Sequence, residues 1–258
     1  TGQENDMQVV SKTNGRRRNI TLALLMAVAS TTATGVLAEE EAGLLDVLDF
    51  DISAAWDSRY VSEGRDNLAG DSLAGTTIEA AYEGLSVNVW YASSPDTDYR
   101  EVNVGTAYTL EWNDWEAYVS YTFLRFLSDK ENDNEVGAGL SYSGLPAGFA
   151  AGVDGYYSFD AEGAFFETYI NRECEVADWL TLTPAAVMGW NAGYMADGHD
   201  GANHFALVLE AAVPLKTGLE LSGNIAYSFA INDNADKYAD DEGLRSMFYG
   251  GVALRASF

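Results

Sequence analysis

The stretch Leu219-Glu220-Leu221-Ser222-Gly223-Asn224-Ile225-Ala226-Tyr227-Ser228-Phe229 decides the fold. Side chains of a strand point alternately to opposite faces, so a half-buried strand alternates apolar with polar. Here Leu219, Leu221, Gly223, Ile225, Tyr227 and Phe229 share one face, and Glu220, Ser222, Asn224, Ala226 and Ser228 share the other. The same period runs from Glu101 to Trp112. Val102, Val104, Thr106, Tyr108, Leu110 and Trp112 oppose Glu101, Asn103, Gly105, Ala107, Thr109 and Glu111.

Working outward, twelve such segments appear, at 47–61, 75–83, 85–93, 99–112, 115–125, 135–143, 148–159, 163–173, 179–191, 203–213, 218–230 and 246–258. Most are long enough for a tilted strand to cross a bilayer core. Their connections alternate in length. Short links fall near Glu83-Gly84, Asn113-Asp114, Gly144 to Ala147, Glu175 to Asp178 and Leu215 to Thr217. Longer, Asp-, Asn- and Gly-rich links fall at 62–74, 94–98, 126–134, 192–202 and 231–245, with a short exception at 160–162. Short inner turns, longer outer loops, an even strand count and both termini on the short-turn side describe a membrane barrel. The sequence therefore predicts an all-β protein, a transmembrane antiparallel up-and-down β-barrel of about twelve strands over 47–258. Ten or fourteen strands are left open.

A soluble sandwich would alternate too. The apolar faces of these segments, however, carry no Asp, Glu, Lys or Arg in their central parts, as a lipid-facing wall requires. Trp56, Tyr60, Tyr91, Tyr99, Trp112, Trp115, Tyr142, Tyr157 and Trp190 gather near segment ends, where interfacial girdles form. Lipid offers the backbone no hydrogen bonds, so the first and last strands must join. Pro184 lacks an N–H, which predicts a bulge in the ninth segment or a later start to it. The chain ends in Phe258, with Ala256, Leu254, Val252, Gly250 and Phe248 on its face. A terminal aromatic on an alternating last strand is the signal read by the β-barrel assembly machinery, so Phe258 is the expected assembly signal.

The first 38 residues read as a cleaved signal peptide. Arg16, Arg17 and Arg18 precede an apolar run from Ile20 to Ala29, and Val36-Leu37-Ala38 precedes Glu39. Met7 is then a candidate true start. The apolar run is too short for a membrane anchor, and a barrel must travel unfolded, so the general secretory route is expected rather than twin-arginine export. Residues 39–46 would be a short periplasmic segment. Removing residues 1–38, which hold four basic and two acidic residues, takes the formal net charge from −26 to −28. Such a chain repels nucleic acid. Its expected partners are outer-membrane lipid, lipopolysaccharide, the assembly machinery and small solutes. The single cysteine, Cys174, forms no internal disulfide, and two histidines, His199 and His204, make a zinc site improbable. No cofactor is expected.

The polar faces hold the candidate functional residues. Asp49, Asp51, Asp57, Glu79, Glu101, Glu111, Glu116, Glu135, Asp154, Glu167, Glu210 and Glu220 are expected inward, opposed by Arg59 and Arg255. An acidic lumen within a low-dielectric wall concentrates cations. Gly137, Gly139, Ala150, Gly152 and Ala212 would leave room for water. These features predict a passive, cation-preferring outer-membrane pore. The alternatives are lumen acids that merely solvate or pair within a filled interior, giving a structural or adhesive barrel, and, further off, an outer-membrane hydrolase, for which neither histidine has a Ser or Asn partner that sequence can place. Arg59 could bridge Asp57, two residues away on the same face, or stand alone. The cluster Asp233, Asp236, Asp240, Asp241 and Glu242 lacks the spacing of a calcium loop and reads as solvated.

Residues 57–65, Asp57-Ser58-Arg59-Tyr60-Val61-Ser62-Glu63-Gly64-Arg65, resemble the opening of an uncharacterised family of porin-like proteins, the TorF or Gcw-type family. Its members carry a Ser-x-Tyr-Val-x-Arg-Gly-like motif after the signal peptide. Ser58, Tyr60, Val61 and Gly64 match; Glu63 replaces the arginine before the glycine, and Arg65 follows instead. The resemblance implies a porin-like barrel and names no substrate.

Overall fold

The computed structural model describes residues 48–195, 197–231 and 241–258. The proposed signal and the segment 39–46 lie outside the described residues, as do Asp233, Asp236 and Asp240. Fifteen strands follow in chain order: β1 (Asp49–Asp57), β2 (Val61–Ser62), β3 (Arg65–Asp66), β4 (Leu73–Tyr82), β5 (Leu85–Ser93), β6 (Arg100–Trp112), β7 (Trp115–Phe126), β8 (Glu131–Tyr142), β9 (Phe149–Ser158), β10 (Gly163–Arg172), β11 (Cys174–Ala177), β12 (Leu180–Ala192), β13 (Gly201–Lys216), β14 (Leu219–Ala230) and β15 (Met247–Ser257). The minor pair β2–β3 forms its own hairpin, and β11 continues β10 along β12. The others close into a twelve-stranded antiparallel barrel.

Closure runs through β1 and β15, from Asp51 opposite Ser257 to Asp57 opposite Gly251. Phe258 adds a further bond, its N–H donating to the Phe50 carbonyl at 2.9 Å, and its ring lies 6.2 Å from that of Phe50. Apart from this closure, each wall strand pairs antiparallel with the next wall strand in sequence. Tight turns join one end; Glu83 and Gly84, both at positive φ (46° and 85°), make one of them, as a two-residue hairpin requires.

The exterior is apolar: Val87, Val89, Val104, Val119, Val136, Leu140, Val153, Leu207, Ile225 and Val252 all stand exposed. Trp56, Trp112, Trp115, Tyr157 and Trp190 border this band as expected. A groove of about 470 Å³ over Gly155, between Val136, Leu140, Val153, Tyr157 and Phe166, belongs to the same outer surface. Two of the expected girdle residues do not belong to it. Tyr60 is buried, and its ring centroid lies 5.6 Å from that of Tyr99 on the inner side of the mouth.

Pro184 also departs from expectation. Its strand begins at Leu180, earlier than the proline, and stays in register with β13 there. The interruption falls on the opposite strand, between Arg172 and Cys174. The proline has no N–H to donate across, so the partner ladder breaks. Register shifts lie to either side of the proline: one in β11 between Glu175 and Ala177, and one in β13, where Asn203 is the extra residue between the pairs Gly189–His204 and Trp190–Ala202.

Candidate functional site

Cross-strand partners share a face, and following them around the barrel sorts the acids. Asp51 opposes Glu79, Glu79 opposes Asn88, Asn88 opposes Gly105, Gly105 opposes Thr122 and Thr122 opposes Glu135. Alternation puts Asp49, Asp57, Glu101 and Glu111 on the same face as these, and further pairings add Glu116, Asp154, Glu167, Glu210, Glu220 and Arg255. It is the inward face, opposite to the exposed apolar one. Three pairs of carboxylates stand directly opposite each other: Asp51 and Glu79, Glu111 and Glu116, Asp154 and Glu167. Like charges so placed repel unless water or a counter-ion lies between them. Arg255 relieves one pair by a bidentate contact to Asp51 at 2.6 and 3.0 Å, and Tyr118 donates to Asp154 at 2.9 Å.

The small inward residues leave less room than expected. A side chain on Gly139 would meet Tyr118 and Asp154, one on Gly152 the Tyr169 hydroxyl, and one on Gly137 the Ser120 hydroxyl. Neighbouring side chains already occupy the space above these glycines.

The mouth holds the larger departure. Sequence pattern carries the first strand to residue 61 and then a solvated loop. The strand instead ends at Asp57, where Ser58 exchanges bonds with Gly250: its N–H donates to the Gly250 carbonyl at 2.9 Å, and its hydroxyl accepts from the Gly250 N–H at 3.1 Å. From there residues 58–72 turn inward as a strap. At the root, Tyr60 packs with Leu73, Trp90 and Ala92, joined by Leu68 and Tyr99. Tyr60 donates to Glu101 at 3.1 Å, and Tyr99 also donates to it. Asn103 donates to its other oxygen at 2.8 Å. Glu101 is 1% exposed, so its carboxyl faces the strap rather than open lumen. Burial pushes the Tyr60 hydroxyl well above its ordinary range, and the charges of Glu101 and Glu63 add to this.

At the strap's tip, β2 and β3 meet in a two-residue turn, Glu63-Gly64, with φ of 47° and 71°. Gly64 lies against His204; a Cβ there would fall 2.4 Å from the ring. The Glu63 carbonyl accepts from Asn203 Nδ2 at 2.6 Å and from Arg65 Nη1 at 3.1 Å. Its carboxylate accepts from the Tyr156 hydroxyl. Tyr156 stands on β9, six strands from β1 in either direction. The strap therefore lies across the mouth, its tip backbone against β13 and its Glu63 side chain meeting one from β9. Burial raises the Glu63 carboxyl above its ordinary 4.5; hydrogen bonds from Ser62 and Tyr156 and the charge of Arg65 offset part of this.

The strap's flank is tied to the last loop. Arg65, 1% exposed, is held by Asp241, and the Asp66 N–H donates to the Gly243 carbonyl at 3.0 Å. Asp66 receives Arg59 and Arg245, each at 2.5 Å. Burial alone would raise the Asp66 carboxyl, but bonds from Arg245, the Gly70 N–H and Arg59 outweigh it and hold the group below its ordinary 3.8. Arg59 thus pairs with Asp66 and not with Asp57, because the chain turns away from β1 before Arg59 can reach back. Asp241, read from sequence as a solvated loop acid, is almost fully enclosed.

Beside the tip, Tyr156, Phe165 and Tyr194 pack together, and His204 stacks on Phe165 with centroids 6.2 Å apart. Tyr194 donates to Glu135 at 2.7 Å. His204 meets Asn203 Nδ2 at 3.0 Å and Glu167 at 3.6 Å, while His199 Nε2 lies 2.8 Å from the Ala202 carbonyl. Sequence reasoning missed the joint role of Tyr60, Glu63, Arg65, Tyr156 and Asn203. The motif matched in residues 57–65 was the one available signal: Ser58, Tyr60, Val61 and Gly64 are the residues that turn, anchor and shape the strap.

No protein-family model matches the chain, and no curated protein matches it in sequence. Solved structures do match in fold. The KdgM porin superposes with a TM-score of 0.56 at 8% identity, over 81% of this chain and 99% of that one. The NanC porin gives 0.54 at 8% identity, over 81% and 100%. The KdgM porin in complex with disordered oligogalacturonate gives 0.54 at 7% identity, over 81% and 99%. The chain therefore has the fold of outer-membrane porin barrels.

Proposed function

We propose that this chain is an outer-membrane channel for passive diffusion of small solutes, with a preference for cations. The observation that supports it most is the set of directly opposed carboxylate pairs on the inward face: Asp51 and Glu79, Glu111 and Glu116, Asp154 and Glu167. A dry, filled interior would make such pairs costly, whereas a water-filled lumen with mobile cations screens them. Asp49, Asp57, Glu210 and Glu220 extend the acidic lining, and Arg255 offsets one charge of it. In this reading residues 1–38 direct export by the general secretory route, Phe258 addresses the chain to the assembly machinery, and lipid and lipopolysaccharide surround the barrel. The KdgM porin has been solved with oligogalacturonate, a polyanion. A lumen lined as this one is would repel such a ligand, so the shared fold carries a different charge selection here.

Purified protein in planar bilayers tests the reading. Stepwise conductance with a reversal potential favouring the cation across a salt gradient is the expected result. Absence of conductance, or anion preference, overturns it. A second reading, a barrel with a structural or adhesive role and no transport, draws on the small apolar core around Tyr60, Leu73 and Trp90 in the mouth. It predicts that no conductance appears.

A further inference from the structure

We infer that the strap of residues 58–72 is a fixed crossbar in the mouth and that the Glu63 carboxylate at its tip is the charge-selecting residue of the channel, held in place by Tyr156. This rests on the channel reading and names the residue that discriminates.

Three observations carry it. The first is the span. The tip backbone seats against Asn203 and His204 on β13 while the Glu63 side chain meets Tyr156 on β9, so the strap lies across the mouth in the way of entering solutes. The second is rigidity. The root is set in an apolar cluster, the flank is tied by the Arg65–Asp241 and Asp66–Arg245 pairs, and the tip is pinned by Asn203 through the Glu63 carbonyl. A crossbar anchored at both ends and along its side holds its charge at one place. The third is charge balance. Arg65, the cation nearest in sequence, gives Nε and Nη2 to Asp241 and Nη1 to the Glu63 carbonyl oxygen. Among the described residues no ion pair reaches the Glu63 carboxylate. Hydrogen bonds from the Ser62 and Tyr156 hydroxyls orient it without neutralising it. The charge is also felt on several walls at once, since Glu101 on β6, Glu135 on β8 and Glu167 on β10 all lie within its electrostatic reach. A permeating anion meets this combined field in the mouth, and a cation is drawn through it.

Reversal potentials of the full barrel in a potassium chloride gradient test the inference. Glu63→Gln keeps an oxygen for the Tyr156 hydroxyl and removes the charge. With the ion passing roughly 5 Å from the group in a water-like medium, the cation loses and the anion gains about a factor of four each, so the cation-over-anion permeability ratio is expected to fall on the order of tenfold. Tyr156→Phe keeps the charge and removes one of the two hydroxyl bonds that position it, the one to the far wall, and a smaller fall with noisier open-channel current is expected. A wild-type barrel that conducts with cation preference while both variants match it overturns the inference and leaves the channel reading standing. A wild-type barrel that does not conduct overturns both. If Glu63→Gln fails to reach the heat-modifiable folded form, Tyr156→Phe decides, and an unchanged ratio there overturns the assignment.

Discussion

Arg65 and Asp241 meet through two parallel hydrogen bonds, Nε to Oδ1 at 3.0 Å and Nη2 to Oδ2 at 2.7 Å, with both side chains almost fully withdrawn from solvent. Removing one partner strands the other as an uncompensated buried charge, at a cost of about 3–5 kcal/mol. Arg65→Met and Asp241→Leu should each lower stability by that order in urea titrations of the detergent-solubilised barrel. The double variant should recover most of the loss, because no lone charge remains. Equal loss in the double variant would contradict this account.

Gly64 is the only residue type that suits the tip. Its φ of 71° disfavours a side chain, and a Cβ would collide with the His204 ring. Gly64→Ala should cost about 1–3 kcal/mol from overpacking, with further strain from the backbone. The strap should lift from the far wall, and limited proteolysis should cleave within 58–72 where the wild type resists. An unchanged digestion pattern would show that the tip is not seated as described.

Acidification should act on the strap in two stages. The Glu63 carboxyl is raised above 4.5 by burial, so it takes up its proton first, and cation preference should begin to fall at a pH above the ordinary carboxylate range. The Glu63→Gln variant should show a smaller first step, since Glu135 and Glu167 remain nearby. A raised carboxyl costs stability in full above its folded pKa; the cost shrinks as pH falls from there and is gone only below the ordinary 4.5. Glu63→Gln should therefore be no less stable than the wild type at neutral pH. Asp66 runs the opposite way. Its pKa is held below 3.8, so its clasp with Arg59 and Arg245 contributes fully above that value and is lost only as pH falls beneath it. A single selectivity step at ordinary carboxylate pH would contradict the ordering.

The two faces of β7 should respond differently to charge. Val119 is 61% exposed on the apolar exterior, and its neighbour Ser120 points inward. Val119→Arg should destabilise the barrel by about 2–4 kcal/mol when folded into lipid vesicles. Ser120→Arg should fold and shift ion selectivity towards anions. Equal tolerance at both positions would argue that the outer surface does not meet hydrocarbon.

The barrel wall is legible in the sequence because each strand is a local pattern. Val102, Val104 and Tyr108 against Glu101, Asn103 and Ala107 state the two environments within eight residues, and the turn chemistry at Glu83-Gly84 and Asn113-Asp114 punctuates them. The inward set of acids follows from the same alternation. The strap is not legible, because its meaning lies in partners far along the chain. Glu63 and Tyr156 are 93 residues apart, and Arg65 and Asp241 are 176 apart. Taken alone, Ser62-Glu63-Gly64-Arg65-Asp66-Asn67 has the composition of any solvated turn. Polar residues buried by each other look the same, one residue at a time, as polar residues in water. The expected Asp57–Arg59 bridge failed for a related reason: two residues share a face only while the strand lasts, and it ends at Asp57.

The pairing of Arg65 with Asp241 also imposes a chronology. The first belongs to the earliest outer loop to be made and the second to the latest. The strap's flank cannot be tied down until nearly the whole polypeptide has been delivered. The doorway is therefore latched last, after most of the walls are standing, and a partly inserted cylinder would carry an unlatched one.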